Sequence, residues 1–323
     1  MTKQDRIDAP APGGAAGIDA DPGRPAETVT VCMCTYRREH LAETLKTVLA
    51  QEVPEGLSLT VVVADNDATP SAQPVVEAAA AATTIPVRYV HAPERNISIA
   101  RNACLDAADG DWVAFIDDDE LAPPHWLAAL WQQAHAGGLD VVFGPAYARY
   151  PEGTPDWIRQ DDHLTNHVPV HRGEVRTGQT SNVLMRWRGS PIREQRFRLE
   201  NGRTGGEDVE FFFRLHRLGQ RMGVTDRAAV HETPGLNRLT YGWLRRRRFV
   251  TGQFHGAYSG PVPRSWRHDG VLLVGAAAKA AYSFLRAGLA LPVERHRNRW
   301  ALRGWFHLGV CAAVLGIAQA NQY

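Results

Sequence analysis

The chain has 323 residues, of which 44% are hydrophobic and 22% charged, and a formal net charge of +1. That length holds one large α/β domain with an appendage, or two modest domains, and the composition is that of a globular protein. The near-neutral balance gives no reason to expect nucleic acid or an acidic macromolecule as partner. The distribution says more than the sum: acids gather near Asp117 and Glu207, while arginines crowd the last third.

Residues 1–27, rich in Pro, Gly, Ala and Asp, lack the apolar core of a signal peptide and read as a disordered tail ending near Glu27. From Thr28 the pattern changes. Residues 28–35 (TVTVCMCT) read as a strand, and 38–50 carry Leu41, Leu45, Val48 and Leu49 at helical spacing. Residues 57–64 (LSLTVVVA) are a near-continuous apolar strand, as in a parallel sheet covered on both faces. A helix over 73–82, a short strand over 87–91 and a helix over 97–108 follow. The strand at 112–116 then runs straight into Asp117-Asp118-Asp119-Glu120. This alternation predicts a doubly wound α/β layer with right-handed crossovers. Ligands of such sheets bind beyond the carboxyl ends of the strands. Thr35, Asp65 and Asp117 all lie at such ends, so three distant segments meet at one crevice.

The second half is less regular. A helix is expected over 123–135, a strand over 140–147 and another over 179–187. Between those strands, residues 150–178 form a polar stretch that suits a lid or an acceptor loop; His163, His167 and His171 read as loop residues there rather than a metal site. A helix over 207–218 closes on Gly219, a strand ends at 228–231, and an Arg-rich helix covers 239–253. Residues 271–291 are mostly apolar, with Lys279, Ser283 and Arg286 on one helical stripe. Residues 304–318 are apolar apart from His307, and a basic hinge containing Arg295, His296, Arg297, Arg299 and Arg303 lies between the two. Cys32, Cys34, Cys104 and Cys311 have no zinc-site spacing and read as buried reduced thiols, which fits a cytosolic compartment.

Three constellations carry chemistry. Carboxylates packed at a strand end, as in Asp117-Asp118-Asp119, repel one another unless a cation neutralises them. Hard oxygen ligands suit Mg²⁺ or Mn²⁺ bridging to substrate phosphates; a solvated turn is the alternative. Gly205-Gly206-Glu207-Asp208 opens a helix whose dipole stabilises an ionised carboxylate, so the pair is either an acidic cap or a catalytic group. Asp65-Asn66-Asp67 suits contact with a base or ribose, or a plain turn. Lesser candidates are His231, as a metal or diphosphate ligand or a satisfied polar histidine, and the run Arg245 to Arg248. One or two of those arginines would suit a diphosphate by guanidinium geometry.

Taken in order, these segments resemble glycosyltransferase family 2, with its nucleotide-binding GT-A fold, over roughly residues 29–256. The motifs are CTYRR (34–38), VVVADND (61–67), NISIARNACLDAADGDWVAFIDDDE (96–120), TSNVLMR (180–186) and GGEDVEFFFRLHRLG (205–219). The resemblance implies that Thr35, Tyr36, Arg38, Asp65, Asp67, Arg101, Asn102, Asp117 and Asp118 surround the donor nucleotide. It makes Asp117 and Asp119 the metal-holding DxD acids, and Asp208 the base with Glu207 orienting it. His231, Arg245 and Arg248 fall towards the diphosphate, and Thr180 and Asn182 beside the acceptor. Two features depart from the family. Asn96 stands where a glycine usually precedes the A-R-N element, and the Q-x-x-R-W element of processive synthases is missing, which favours addition of a single sugar.

The chain is similar to the succinoglycan-type exopolysaccharide glucosyltransferases. The expected activity is inverting transfer of one sugar from a nucleotide-diphosphate sugar, a UDP-sugar, to an acceptor hydroxyl on a lipid-linked saccharide. A nucleotidyltransferase would show a Gly-rich basic loop after the first strand, where CTYRREHL has none. A non-catalytic nucleotide-sugar binding protein would lack the acids. The expected organisation is a tail (1–27), a GT-A domain (28–256) and membrane-associating helices (257–323). Residues 304–318 are too short to span a bilayer. Residues 271–291 carry Lys279 and Arg286 on one stripe, as in a helix lying in the interface. Packing of both helices on the catalytic domain is the alternative. Peripheral or monotopic attachment at the cytoplasmic face of the cell membrane is the expectation.

Overall fold

The structure, a computed structural model, describes residues 26–317. Most of the expected tail therefore lies outside the described residues. Glu27, placed at its end, is the first residue of a strand, where its carboxylate accepts the indole N–H of Trp112 (3.0 Å) and of Trp131 (2.7 Å).

The elements in chain order are β1 (Glu27–Thr35), α1 (Leu41–Leu49), β2 (Leu57–Asp65), α2 (Gln73–Ala81), β3 (Val87–His91), α3 (Ile97–Ala107), β4 (Trp112–Ile116) and β5 (Glu120–Leu121). Then come α4 (Trp126–Gly137), β6 (Val141–Phe143), β7 (Ala146–Ala148), α5 (Asp156–Gln160), β8 (Val170–His171), β9 (Glu174–Val175) and β10 (Asn182–Arg186). The remainder is α6 (Glu207–Arg217), β11 (Met222–Val224), β12 (Val230–Glu232), α7 (Tyr241–Tyr258), α8 (Trp266–Leu289) and α9 (Glu294–Val314).

Seven strands form the main sheet in the order β11-β6-β10-β4-β1-β2-β3. β1 pairs in parallel with β2 and β4, and β10 runs antiparallel between β4 and β6. Both faces are covered at the centre, so β1, β4, β6 and β10 are almost wholly buried and alternate only in which core they enter, while the edge strands β3 and β11 are partly exposed. Val29, Val31 and Met33 of β1 join Trp112, Ala114 and Ile116 of β4 against α1, α2 and α4. Cys32, Val113 and Phe115 face the other way, with Phe211, Phe212 and Leu215 of α6. The Phe211–Phe213 run is thus core, and none of the four cysteines is in a disulfide.

Departures from the sequence reading have local causes. The strand expected over 140–147 is two strands, broken at Gly144-Pro145, because a Cβ on Gly144 would lie 2.2 Å from the carbonyl oxygen of Ala228. The chain there leaves the main sheet for a second one ordered β5-β12-β7. The polar stretch 150–178 contains α5 and the β8–β9 hairpin. The basic hinge is not a hinge: residues 294–303 are the first turns of α9, and the chain bends at 290–293, around Pro292. α9 packs against both α7 and α8. Its backbone meets α7 closely, since Cβ atoms on Gly252 and Gly309 would each lie 1.9 Å from a carbonyl oxygen, of Phe306 and Phe249.

Candidate active site

The carboxyl ends of β1, β2 and β4 converge as expected of a parallel sheet. After β1, two guanidinium groups approach the Tyr36 ring, Arg37 at 5.5 Å and Arg95 at 5.2 Å from its centre. Arg38 reaches Asp118 (3.5 Å) and Asp119 (3.3 Å). Thr35 is buried beside Asp118, and its Oγ1 has no hydrogen-bond partner among the described residues. After β2, Asp65 is fully buried, and its carboxylate accepts from the backbone N–H of Asp67 and Ala72 and from the Tyr89 hydroxyl. Asp67 accepts from Arg37 Nε at 2.8 Å, which holds its carboxyl far below the usual range. Asp65 and Asp67 thus shape the 65–72 turn, and Asp67 ties it to Arg37.

The acid run after β4 is denser than the sequence run alone. Glu120 is buried and accepts the backbone N–H of Asp117 at 3.1 Å. β12 pairs antiparallel with β5, so Glu232 stands opposite Glu120. Burial, opposed only in part by Arg101 and reinforced by the neighbouring acids, pushes Asp117 up to about 7. Burial, again ahead of the neighbouring charges, pushes Asp118 up to about 6. Glu120 and Glu232 are raised mainly by burial, with Asp119 adding repulsion to each. Arg38, Arg101, Arg238 and Arg247 counter this charge, Arg238 through a salt bridge to Glu232. Glu120, Glu232 and Arg238 escaped the sequence reading. The first sits in the D-D-D-E run; Glu232 is placed by a three-residue strand whose partner the sequence does not reveal, and Arg238 by the 3-10 turn Leu236–Arg238 that follows it.

α3 supplies the next group. Asn96 replaces the family's glycine and caps the helix: its side chain accepts from Ser98 N (3.0 Å) and donates to the Leu199 carbonyl (2.9 Å). Arg101, one turn on, is buried with its guanidinium on Glu207 and over the Phe197 ring. Asn102 faces away, exchanging hydrogen bonds with both backbone groups of Phe197 at 2.9 and 2.8 Å. Glycines set the start of α6: Gly205 and Gly206 have φ of +88° and +80°, which an L side chain rarely adopts. Glu207 is then fixed on Arg101, its Oε2 buried with no hydrogen-bond partner among the described residues. Asp208 is the more accessible of the pair, and its Oδ1 accepts only the adjacent Val209 N–H at 2.7 Å among the described residues.

The remaining sequence candidates fall elsewhere. Asn182 is fully buried, accepting from Trp126 Nε1 (2.8 Å) and donating to the carbonyls of Pro145 (3.0 Å) and Ala228 (2.7 Å). It bolts β10 to the second sheet. Thr180 is buried just before β10. His231 points to the opposite face of β12 from Glu232, its ring 6.1 Å from Tyr147. Arg245 lies over the Trp305 ring of α9 at 5.2 Å, and Arg248 lies by Tyr150; it is Arg247 whose charge acts on Glu232. A cavity of about 520 Å³ begins at Leu239, the residue after Arg238, and is walled by Trp157, Tyr241, Arg297 and Asn298.

Carboxylates crowd at one strand end, yet among the described residues no three Asp, Glu, His or Cys side chains are arranged to hold a metal ion unaided. The donor set fits a hard divalent ion that takes one or two carboxylates and completes its shell with phosphate and water oxygens.

The comparisons bear on the family and the fold. The chain is 41% identical over 93% of its length, and 97% of the relative's, to succinoglycan biosynthesis protein ExoM of Rhizobium meliloti. It is 28% identical over 69% of its length, and 75% of the relative's, to a glucosyl-dolichyl phosphate glucuronosyltransferase of Haloferax volcanii. In fold it is similar to the mannosyltransferase PcManGT from Pyrobaculum calidifontis, solved with GDP-Man and Mn²⁺ (TM-score 0.62, 20% identity, 91% of this chain and 88% of that one). A second fold relative is S. aureus TarS 1–349 with UDP-GlcNAc (TM-score 0.51, 16% identity, 90% and 92%). A model of glycosyl transferase family 2 matches residues 30–204, the span that holds every strand end around the acids except that of β12. The chain belongs to glycosyl transferase family 2 and has its GT-A fold.

Proposed function

We propose that the protein transfers a single sugar, with inversion, from a UDP-sugar to a hydroxyl of a lipid-linked saccharide in exopolysaccharide biosynthesis. The observation that carries this reading is the contrast at the start of α6. Glu207 is locked on Arg101, while Asp208 presents an accessible carboxylate from the same helix end. A free carboxylate beside a fixed one suits a base that takes the acceptor proton once, without a covalent intermediate.

Asp117, Asp119 and their neighbours would hold Mg²⁺ or Mn²⁺ with the donor diphosphate; the ion would supply charge neutralisation at the departing nucleotide. Arg38 and Arg101 counter the cluster's charge and keep it from repelling the diphosphate outright. Tyr36, approached by Arg37 and Arg95, offers a face for the base. The cavity beginning at Leu239 has the mixture of aromatic walls and polar heads that binds a saccharide.

In this proposal residues 28–256 are the catalytic unit and 257–323 the appendage that meets the cytoplasmic face of the membrane, with α7 (Tyr241–Tyr258) running across the boundary. α8 is long and apolar enough to cross a bilayer by length and composition. More telling is the way it is exposed. Val271, Val274, Tyr282, Leu285 and Leu289 are 51–76% exposed and share one face, while small Ala276, Ala280, Ser283 and Ala287 pack inward. A large apolar face left open on one side suits a helix lying in the interface.

The test is nucleotide release from a panel of UDP-, GDP- and dTDP-sugars with and without Mn²⁺, followed by mass spectrometry of lipid extracts. Mn²⁺-dependent UDP release and a lipid product one hexose heavier are expected. Release with no Mn²⁺ dependence, or from no sugar nucleotide, would overturn the reading.

A further inference from the structure

α8 has a third side besides its exposed apolar face and its buried small-residue face. His268, Leu272, Gly275 and Lys279 recur at helical spacing along the edge between them. This edge borders a cavity of about 320 Å³ closed by α7 and α9. Its polar wall consists of nitrogen groups alone: His255 from α7, His268 and Lys279 from α8, and His307 from α9. The apolar wall is Leu272, Phe306 and Val310. No carboxylate lines it, and among the described residues Lys279 makes no salt bridge; the nearest acid along α8, Asp269, is held by Arg264 at 3.0 Å. Lys279 supplies the positive charge of this wall and the histidines supply N–H donors, so a cavity without a lining carboxylate side chain favours an anion.

We infer that this cavity binds the phosphate of a membrane lipid, with the phosphate on Lys279, His255 and His307 and the first carbons of the lipid chain along Leu272 and Phe306. A free phosphate would use the nitrogens equally well. The lipid is favoured because Val271 belongs both to the cavity rim and to the outward apolar face of α8, so the two surfaces are continuous. The inference rests on reading that face as membrane-facing, and not on the sugar-transfer chemistry.

His307 makes the site separable from bulk electrostatics. Partial burial, with Lys279, Arg303 and His255 adding repulsion, lowers its pKa to about 4, so at neutral pH it offers an uncharged N–H. Replacing it removes a donor and no charge.

The experiment is flotation of the full chain with vesicles of phosphatidylcholine alone and of phosphatidylcholine containing phosphatidic acid, at neutral pH. Wild type should prefer the phosphatidic acid vesicles. His307→Asn should lose about tenfold of that preference, the worth of one hydrogen bond to a charged group, while still floating with phosphatidylcholine alone. Lys279→Gln should lose more than Arg286→Gln, which removes the same charge further along α8. An unchanged preference in His307→Asn, or equal losses in Lys279→Gln and Arg286→Gln, would assign the preference to general surface charge and overturn the site. Inorganic phosphate that binds the vesicle-free protein as tightly as the lipid does would overturn the lipid as its occupant. Failure of wild type to float with any vesicle would instead remove the membrane reading, and leave the transfer assay untouched.

Discussion

The acid cluster at the strand ends gathers carboxylates, the nitrogen-lined cavity among the C-terminal helices gathers nitrogen donors, and the two are built in different ways. The first is assembled by backbone pairing: β4 delivers Asp117, β5 delivers Glu120, and β12 aligns Glu232 opposite it. The second is assembled by side-chain spacing on α7, α8 and α9, with the approach of α7 to α9 set by Gly252 and Gly309. A strand end fixes its side chains to within the register of the sheet, which suits chemistry that needs fixed distances. A helix edge presents a strip rather than a point, which suits binding a mobile lipid.

The largest effect that would sharpen this contrast lies at α6. Asp208→Asn should keep donor binding and lose turnover by about 10²–10⁴-fold or more, because proton transfer and its positioning go together. Single-turnover kinetics on a fixed donor would measure this. A variant within tenfold of wild type would move the base elsewhere, and a dead Glu207→Gln beside a live Asp208→Asn would move it by one residue.

Next in size is the pair that holds the α6 start. Arg101→Met leaves Glu207 buried without its partner, at a cost of about 3–5 kcal/mol. Urea denaturation should show that loss, whereas Arg245→Met, at the exposed contact over Trp305, should change stability little. Equal losses would mean that the site end and the C-terminal end are held alike.

The smallest effect is a pH dependence. Asp117 and Asp118, held at about 7 and about 6, keep protons in the folded state that the unfolded chain releases near 4. Their stabilising contribution is therefore whole at low pH and is lost as pH rises through 6 to 7. A bound cation offsets the repulsion that then appears. Mn²⁺ with UDP should raise the melting temperature more at about pH 8 than at about pH 5. An equal rise at both would place the ion away from these acids.

Much of the sheet was legible because its signals are local and periodic: β3 and β4 have the expected bounds, and Asn96, an exception to the family pattern, caps α3 by chemistry that Asn commonly performs. The diphosphate candidates were not. His231 and Glu232 are neighbours, and only the pairing of β12 with β5 decides which of them faces the acids. Among four consecutive arginines, the helix turns Arg245 onto Trp305 and Arg247 towards Glu232, and adjacent identical residues carry no phase. Asn182 sat in a family-like segment, yet its amide is used within the fold because β10 needed a bridge to the second sheet. The nitrogen-lined cavity left no trace in any single segment, since its three histidines and one lysine come from helices spread over 53 residues, from His255 to His307.

On the proposed mechanism, the Asp117–Glu120 cluster would hold a divalent cation jointly with the donor diphosphate. Calorimetric titration of Mn²⁺ into the protein with and without UDP tests it most directly. The account predicts weak Mn²⁺ binding alone, marked tightening with UDP, and loss of that tightening in Asp119→Ala while the fold persists. Tight Mn²⁺ binding without nucleotide, or UDP-dependent binding that survives in Asp119→Ala, would contradict it.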